Sequence, residues 1–189
     1  HIPIFTFVNK LDRETRDPFD LMEEIEDVLG ISTYPVNWPI GCGRNFRGVF
    51  DRETRRVIAF QGDGHANATK KVAEIEAELG SPELDELIGA DNHATLVDDI
   101  ELLDGADSAF DLDAVLAGKL TPVFFGSALT NFGVEPFLRG FLAMSPGPKP
   151  YTDVLANEPV DPVGRDFSGF VFKIQANMDK RHRDRIAFL

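Results

Sequence analysis

Cysteine is all but missing from the 189 residues: Cys42 stands alone, so no internal disulfide framework is available and a reducing, cytosolic setting is expected. Between Gly41 and Gly43 it reads as a small residue in a tight turn rather than a catalytic thiol. No apolar run approaches the roughly 20 residues that span a bilayer, and no signal-peptide pattern is visible, so no membrane partner is expected. Positive charge is scarce as well. Lys and Arg total 19 against 32 Asp and Glu, a net charge of −13, and such a surface repels phosphate backbones. That excludes a broad nucleic-acid-binding face and leaves room only for local RNA contacts. Tyrosine (two) and tryptophan (one) are rare beside sixteen Phe, which assigns aromatic mass to packing. His65 and His93 lack Cys or His partners at metal-ligand spacing, so they read as surface residues and not as zinc ligands.

What remains is the balance of a globular protein, 43% hydrophobic and 27% charged. Residues 2–8 form a nearly continuous apolar run, the pattern of a parallel strand buried on both faces. Asp17-Pro18 then opens a helix, with Asp as N-cap and Pro at the first helical position, and Gly30 is placed to close it. A second buried strand is expected at 122–126 and a helix at about 134–144. Strand, loop, helix, repeated, is the rhythm of an open parallel sheet. Yet Asp12 and Ser127 lie 115 positions apart, where a bare crossover takes about 30 residues. A subdomain is therefore inserted between them.

The insertion begins as a hairpin (49–50 with 57–60) and continues as short helices at 69–79, 82–88, 93–103 and 111–117. It is acidic from 62 to 113, including Asp98, Asp99, Glu101, Asp104 and Asp107. These carboxylates follow no Ca²⁺-loop spacing and read as a solvated face. Their distance in sequence from both strand ends suggests a partner surface, removable without loss of nucleotide affinity. Ser145–Pro150 is a linker by its prolines. Residues 167–174 and 186–189 read as a further hairpin, and both chain ends read as interior to a longer protein.

Two motifs carry chemistry. Asn9-Lys10-Leu11-Asp12 stands where the first buried strand ends, and in open α/β sheets ligands sit beyond the carboxyl ends of strands. Guanine offers two adjacent donors, N1–H and the 2-amino group, which one carboxylate such as Asp12 accepts together. Asn9 can brace the loop and serve the other edge of the base, while the stem of Lys10 lies across it. Gly126-Ser127-Ala128-Leu129 ends the second buried strand. Small residues there let a backbone N–H approach the guanine oxygen, and Ser127 can stiffen the turn.

Both motifs match the guanine-specificity loops of the GTPase superfamily. Asn9–Arg13, Arg16-Asp17-Pro18, Trp38–Gly41, Asn45–Asp51, Phe124–Val134, Asn177-Met178-Asp179 and His182–Arg185 together resemble translational GTPases of the elongation factor G branch; the acidic stretch carries little of the likeness. The resemblance implies an α/β fold: the C-terminal half of a P-loop GTPase domain (1–38 and 119–146) with an inserted α+β subdomain (39–118), then a linker and the start of an all-β barrel (147–189). It implies GTP/GDP as ligand, held through Asn9, Lys10, Asp12, Ser127, Ala128 and Leu129. Magnesium ligands and catalytic groups are expected outside these residues, which hold no G-x-x-x-x-G-K-[ST] phosphate loop. The partners implied are the ribosome and the codon-reading peptide chain release factors. An elongation factor G-like factor, a ribosomal protection GTPase or a non-enzymatic ribosome-binding module are the alternatives. Arg181, His182, Arg183 and Arg185, the only basic cluster, fit either an RNA contact or a polar hairpin turn.

Overall fold

The computed structural model describes residues 2–60, 74–106, 109–153, 157–164, 167, 169, 171–176 and 185–189. They fall into two units, 1–145 and 146–189. In the first unit, strand β1 (Thr6–Val8) leads through a loop to helix α1 (Pro18–Leu29). The expected caps are both present: the Asp17 carboxylate accepts the Phe19 N–H, and Gly30, left-handed, donates to the Glu26 carbonyl. Arg16 and Glu24 pair beside this first turn. Strand β2 (Ser32–Pro35) follows, then β3 (Asn37–Ile40), β4 (Gly48–Asp51), β5 (Arg56–Phe60) and β6 (Glu74–Glu78). Helices α2 (Glu83–Ile88), α3 (Ala90–Gly105) and α4 (Leu112–Leu116) precede β7 (Leu120–Phe125) and α5 (Val134–Met144).

The chain is mixed α/β. One sheet runs β1-β7-β2, all parallel, and the other runs β3-β4-β5-β6, all antiparallel. Strand β7 is central and buried at every position, which is why its sequence, Leu-Thr-Pro-Val-Phe-Phe, shows no alternation. Successive side chains of β7 face opposite ways. Phe124 meets Phe137 of α5, while Phe125 meets Trp38 of β3, which in turn packs on Phe19 of α1. The central sheet thus carries α5 on one face and the inserted sheet and α1 on the other.

One helix expected from sequence is a strand. Of the span 69–79, residues 69–73 lie outside the described residues, and 74–78 form β6, antiparallel to β5. Glu-Ile-Glu-Ala-Glu has good helix formers but also strict period-two alternation, and a free edge on β5 decides in favour of the strand. Strand β2 had no expectation at all; Ser-Thr-Tyr-Pro is short and polar, and only its place beside β7 makes it a strand.

The acidic stretch is not a separable appendage. Leu84 and Ile88 of α2 and Leu96, Ile100 and Leu103 of α3 share one core with Leu11, Trp38, Val123 and Phe125. Deleting 62–113 would therefore open the core that holds Leu11, so the removable surface expected from sequence is corrected. Two of its carboxylates are structural. Asp99 accepts the Trp38 indole N–H at 2.9 Å, and Asp104 pairs with Arg55 at 2.7 Å and Arg52 at 3.3 Å. Asp107 and His65 lie outside the described residues, and His93 meets Asp85 at 2.8 Å.

These two carboxylates shift in opposite directions. Burial raises Asp99; the Trp38 hydrogen bond opposes this, and Asp17 and Asp98 add to it. Burial pushes Asp104 up too, but its bonds to Arg55 and Arg52 outweigh that and leave it lowered. A raised acid subtracts stability when charged and stops doing so as pH falls through its folded pKa. A lowered one adds stability above its unfolded pKa, about 3.9, and loses it as pH falls through its folded value. In thermal melts at neutral pH, Asp99→Asn is therefore expected to hold or raise the midpoint and Asp104→Asn to lower it. The Asp99 difference shrinks as pH falls toward about 4 and the Asp104 difference only below about pH 4, and a gap that persists well below that in either variant would contradict the assignment.

The second unit holds two short antiparallel pairs: β8 (Tyr151–Thr152) with β9 (Pro159–Val160), and β10 (Lys173–Ala176) with β11 (Arg185–Phe188). The last is the hairpin expected from sequence, in register Lys173 to Phe188, although its first strand starts later than the alternation from 167 suggested. The residues between its two strands, 177–184, including Arg181, His182 and Arg183, lie outside the described residues.

Candidate functional site

Because β1 and β7 are parallel, with Val8 beside Phe125, their carboxyl ends lie at one end of the sheet. The ladder continues one step past both strands: Gly126 N–H donates to the Val8 carbonyl at 3.0 Å and Leu11 N–H to the Gly126 carbonyl at 3.2 Å. This brings the two candidate loops, 115 positions apart, into direct contact. Ser127 Oγ donates to Asp12 Oδ1 at 2.5 Å, and Ala128 N–H donates to Asn9 Oδ1 at 2.9 Å.

Each loop is also stiffened from within. Asn9 Oδ1 takes the Lys10 N–H as well, at 2.8 Å, and Lys10 sits at φ 73°, a left-handed conformation that costs roughly 1–2 kcal/mol for a residue with a Cβ. Leu11, 1% exposed, anchors the loop in the core between these polar neighbours. In the second loop, Ser127 and Phe132 exchange both backbone bonds (3.0 and 2.9 Å), closing the six-residue turn. Thr130 supports it, its N–H on Ser127 Oγ at 3.4 Å and its Oγ1 on the Ser127 carbonyl at 3.2 Å. Gly126 serves this closure: a Cβ there would stand 2.5 Å from the Phe132 carbonyl oxygen and 2.8 Å from the Phe7 ring. Its smallness is thus taken up by the protein's own packing.

Groups left open can be read off by subtraction. Asp12 is half-buried and one lone pair of Oδ1 is taken, so its carboxylate keeps acceptor sites on both oxygens. The Asn9 amide Nδ2, the Leu129 N–H and the Lys10 ammonium have no protein partner among the described residues. Asn9, Lys10, Ala128 and Leu129 are exposed, whereas Ser127 is fully buried. The arrangement is an outward-facing edge, braced by these hydrogen bonds, with two acceptors, two neutral donors and one cation. Its one hydroxyl on a carboxylate, Ser127 on Asp12, is buried and faces no solvent.

Thr130, Asn37 and Gly43, which brace these loops, were not singled out from sequence. Asn37 carried a signal, a polar residue between Val36 and Trp38 in an apolar stretch; Thr130 carried none.

Compared with models of protein families, the chain matches none. Compared with curated proteins, all of it aligns at 50% identity over 190 residues with one from Trichormus variabilis, at 52% over 191 with one from Streptococcus pneumoniae, and at 50% over 189 with one from Synechocystis. The resemblance is to peptide chain release factor 3. The chain spans about a third of those release factors, 34% of each. A solved structure from Thermus thermophilus aligns with 77% of this chain and 22% of its own at 23% identity and a TM-score of 0.48, too remote a likeness to carry an argument. Among the described residues no helix is long and apolar enough to cross a membrane.

Proposed function

We propose that this chain is the guanine-reading part of a ribosome-dependent translational GTPase that acts in termination, in the cytoplasm, where it recycles codon-reading release factors. The observation that carries the reading is the pair of contacts from Asp12 to Ser127 and from Asn9 to Ala128, which join two loops distant in sequence at the carboxyl end of a parallel sheet. The similarity to release factor 3 along all 189 residues supports the termination role.

The donor set fits guanine. Asp12 accepts from N1–H and the 2-amino group, and Ser127, bonded to its side, fixes the plane of that carboxylate. Asn9 presents Nδ2 to the N7 side of the base. The Ala128 N–H is held by Asn9, so the neighbouring Leu129 N–H is the open donor for the base oxygen. Lys10 lays its stem along the base, and its ammonium remains on the phosphate side. Adenine, with an acceptor at N1 and no 2-amino group, would leave Asp12 facing a lone pair. GTP supplies the bond that is cleaved; the side chains here orient the base and perform no proton transfer. Domains 1–38 and 119–146, with 39–118 inserted and a barrel beginning after 147, complete the reading.

These 189 residues alone are expected to bind neither GTP nor GDP at micromolar concentration. The base contacts are a few hydrogen bonds of about 0.5–1.5 kcal/mol each, less than most estimates of the cost of ordering a ligand. The larger share, phosphates on helix N-terminal N–H groups, has no phosphate loop in this sequence to supply it. Calorimetry with GDP tests this directly, and micromolar binding would overturn it. In the intact protein, ribosome-stimulated GTP hydrolysis coupled to departure of a codon-reading factor tests the role itself.

A further inference from the structure

The first strand of the inserted sheet touches the back of both base-reading loops. Just past β3, in a 3₁₀ turn (Gly43–Asn45), the Gly43 N–H is shared between the Leu11 carbonyl at 2.9 Å and the Arg13 carbonyl at 3.1 Å. These carbonyls flank Asp12. Where β3 begins, the buried Asn37 side chain grips Phe125 from both sides: its Oδ1 accepts the Phe125 N–H at 2.7 Å and its Nδ2 donates to the Phe125 carbonyl at 3.2 Å. Phe125 is the last residue of β7 before Gly126-Ser127.

We infer that Asn37 and Gly43 are positioning residues that fix the two base-reading loops relative to each other, so that the inserted sheet sets guanine selectivity. This rests on the guanine reading above. Neither residue reaches the base edge: Gly43 holds the carbonyls on either side of Asp12, and Asn37 holds Phe125, two residues before the Ser127 that is bonded to Asp12. Gly43 cannot be replaced quietly. It lies at φ 58°, and a Cβ would stand 2.3 Å from Glu14 Oε1 and 3.3 Å from the Glu14 backbone nitrogen, pressing on the segment that follows Asp12. Asn37 is 2% exposed, and truncation leaves the Phe125 N–H and carbonyl buried without partners. Because β3 pairs with β4 through four residues, a displacement of the inserted sheet is transmitted to both loops through these bonds.

The test is the ratio of GDP to IDP affinity in the intact protein. Hypoxanthine lacks the 2-amino group, so the ratio reports how well Asp12 is placed, and a loss of folded protein lowers both affinities without changing it. Asp12→Ala is measured alongside and is expected to bring the ratio close to one. Asn37→Ala and Gly43→Ala are each expected to reduce it about three- to tenfold, the equivalent of one weakened hydrogen bond. If Asp12→Ala leaves the ratio unchanged, the base reading itself falls and this inference with it. If Asp12→Ala abolishes the preference while both brace variants keep the wild-type ratio, only the brace is wrong. Should both variants fail to fold, amide exchange in the wild type decides. The Gly43 amide is expected to exchange more slowly with GDP than with IDP, and equal rates in the two complexes would overturn the inference.

Discussion

In the intact protein, Asp12→Asn is expected to lose GTP and gain xanthosine triphosphate. The change turns two acceptors into one acceptor and one donor. Ser127 Oγ can still donate to the remaining oxygen, as it does to Asp12 Oδ1 at 2.5 Å, so the amide keeps the carboxylate's orientation. Guanine then meets an N–H where its 2-amino group needs an acceptor. Losing a charge-assisted bond costs about 1.5–3 kcal/mol, and leaving a donor unpaired costs about 1–3 more. GTP affinity should therefore fall roughly 10²- to 10⁴-fold. Xanthine carries an oxygen in place of the 2-amino group, and its N1–H and O2 match the new amide. Competition between the two nucleotides on ribosomes checks the claim. Full GTP turnover with no response to the xanthine nucleotide would show that Asp12 does not read the base.

Trp38→Ala should be among the most damaging single changes to stability. Trp38 is fully buried, its ring lies 4.6 Å from Phe19 and 5.5 Å from Phe125, and its indole N–H meets Asp99. It thereby joins α1, β3, β7 and α3. Truncating a buried aromatic of this size costs about 3–5 kcal/mol, a large part of the 5–15 kcal/mol available to an ordinary domain. Leu142→Ala, at a side chain 75% exposed, is expected to stay within about 0.5 kcal/mol. Urea unfolding of the two variants beside the wild type separates these outcomes. A Trp38→Ala loss below about 1 kcal/mol would mean that this core is far looser than its contacts indicate.

Local signals were legible and long-range ones were not. Asp17-Pro18 and Gly30 gave the bounds of α1, because capping depends on residues within one turn. Helix α5 and the β4–β5 hairpin were equally local. Strands β2 and β6 depend on partners far along the chain, and nothing within Ser32–Pro35 or Glu74–Glu78 states that a neighbour is waiting. The same division runs through the candidate site. Asn9, Asp12 and Ser127 could be named from motif and position. The bonds that lock them, from Thr130, Asn37 and Gly43, all involve backbone groups of distant or neighbouring residues, and of the three only Asn37, polar in an apolar stretch, carried a signal. The acidic stretch misled for a related reason: its charge was visible residue by residue, whereas the stripe Leu96, Ile100, Leu103 acquires meaning only against the core it fills.

The parallel pairing of β1 with β7 also governs when the candidate site can exist. Thr6 must meet Val123, so no amount of local folding around β1 can assemble the proposed base-reading edge. During synthesis at about 5–20 residues per second, the intervening 115 or so residues take roughly 6–23 s to appear. For that interval Asn9 and Asp12 have no second loop to face, and a cell making this protein carries chains in which one half of the proposed nucleotide edge exists before the other has been translated.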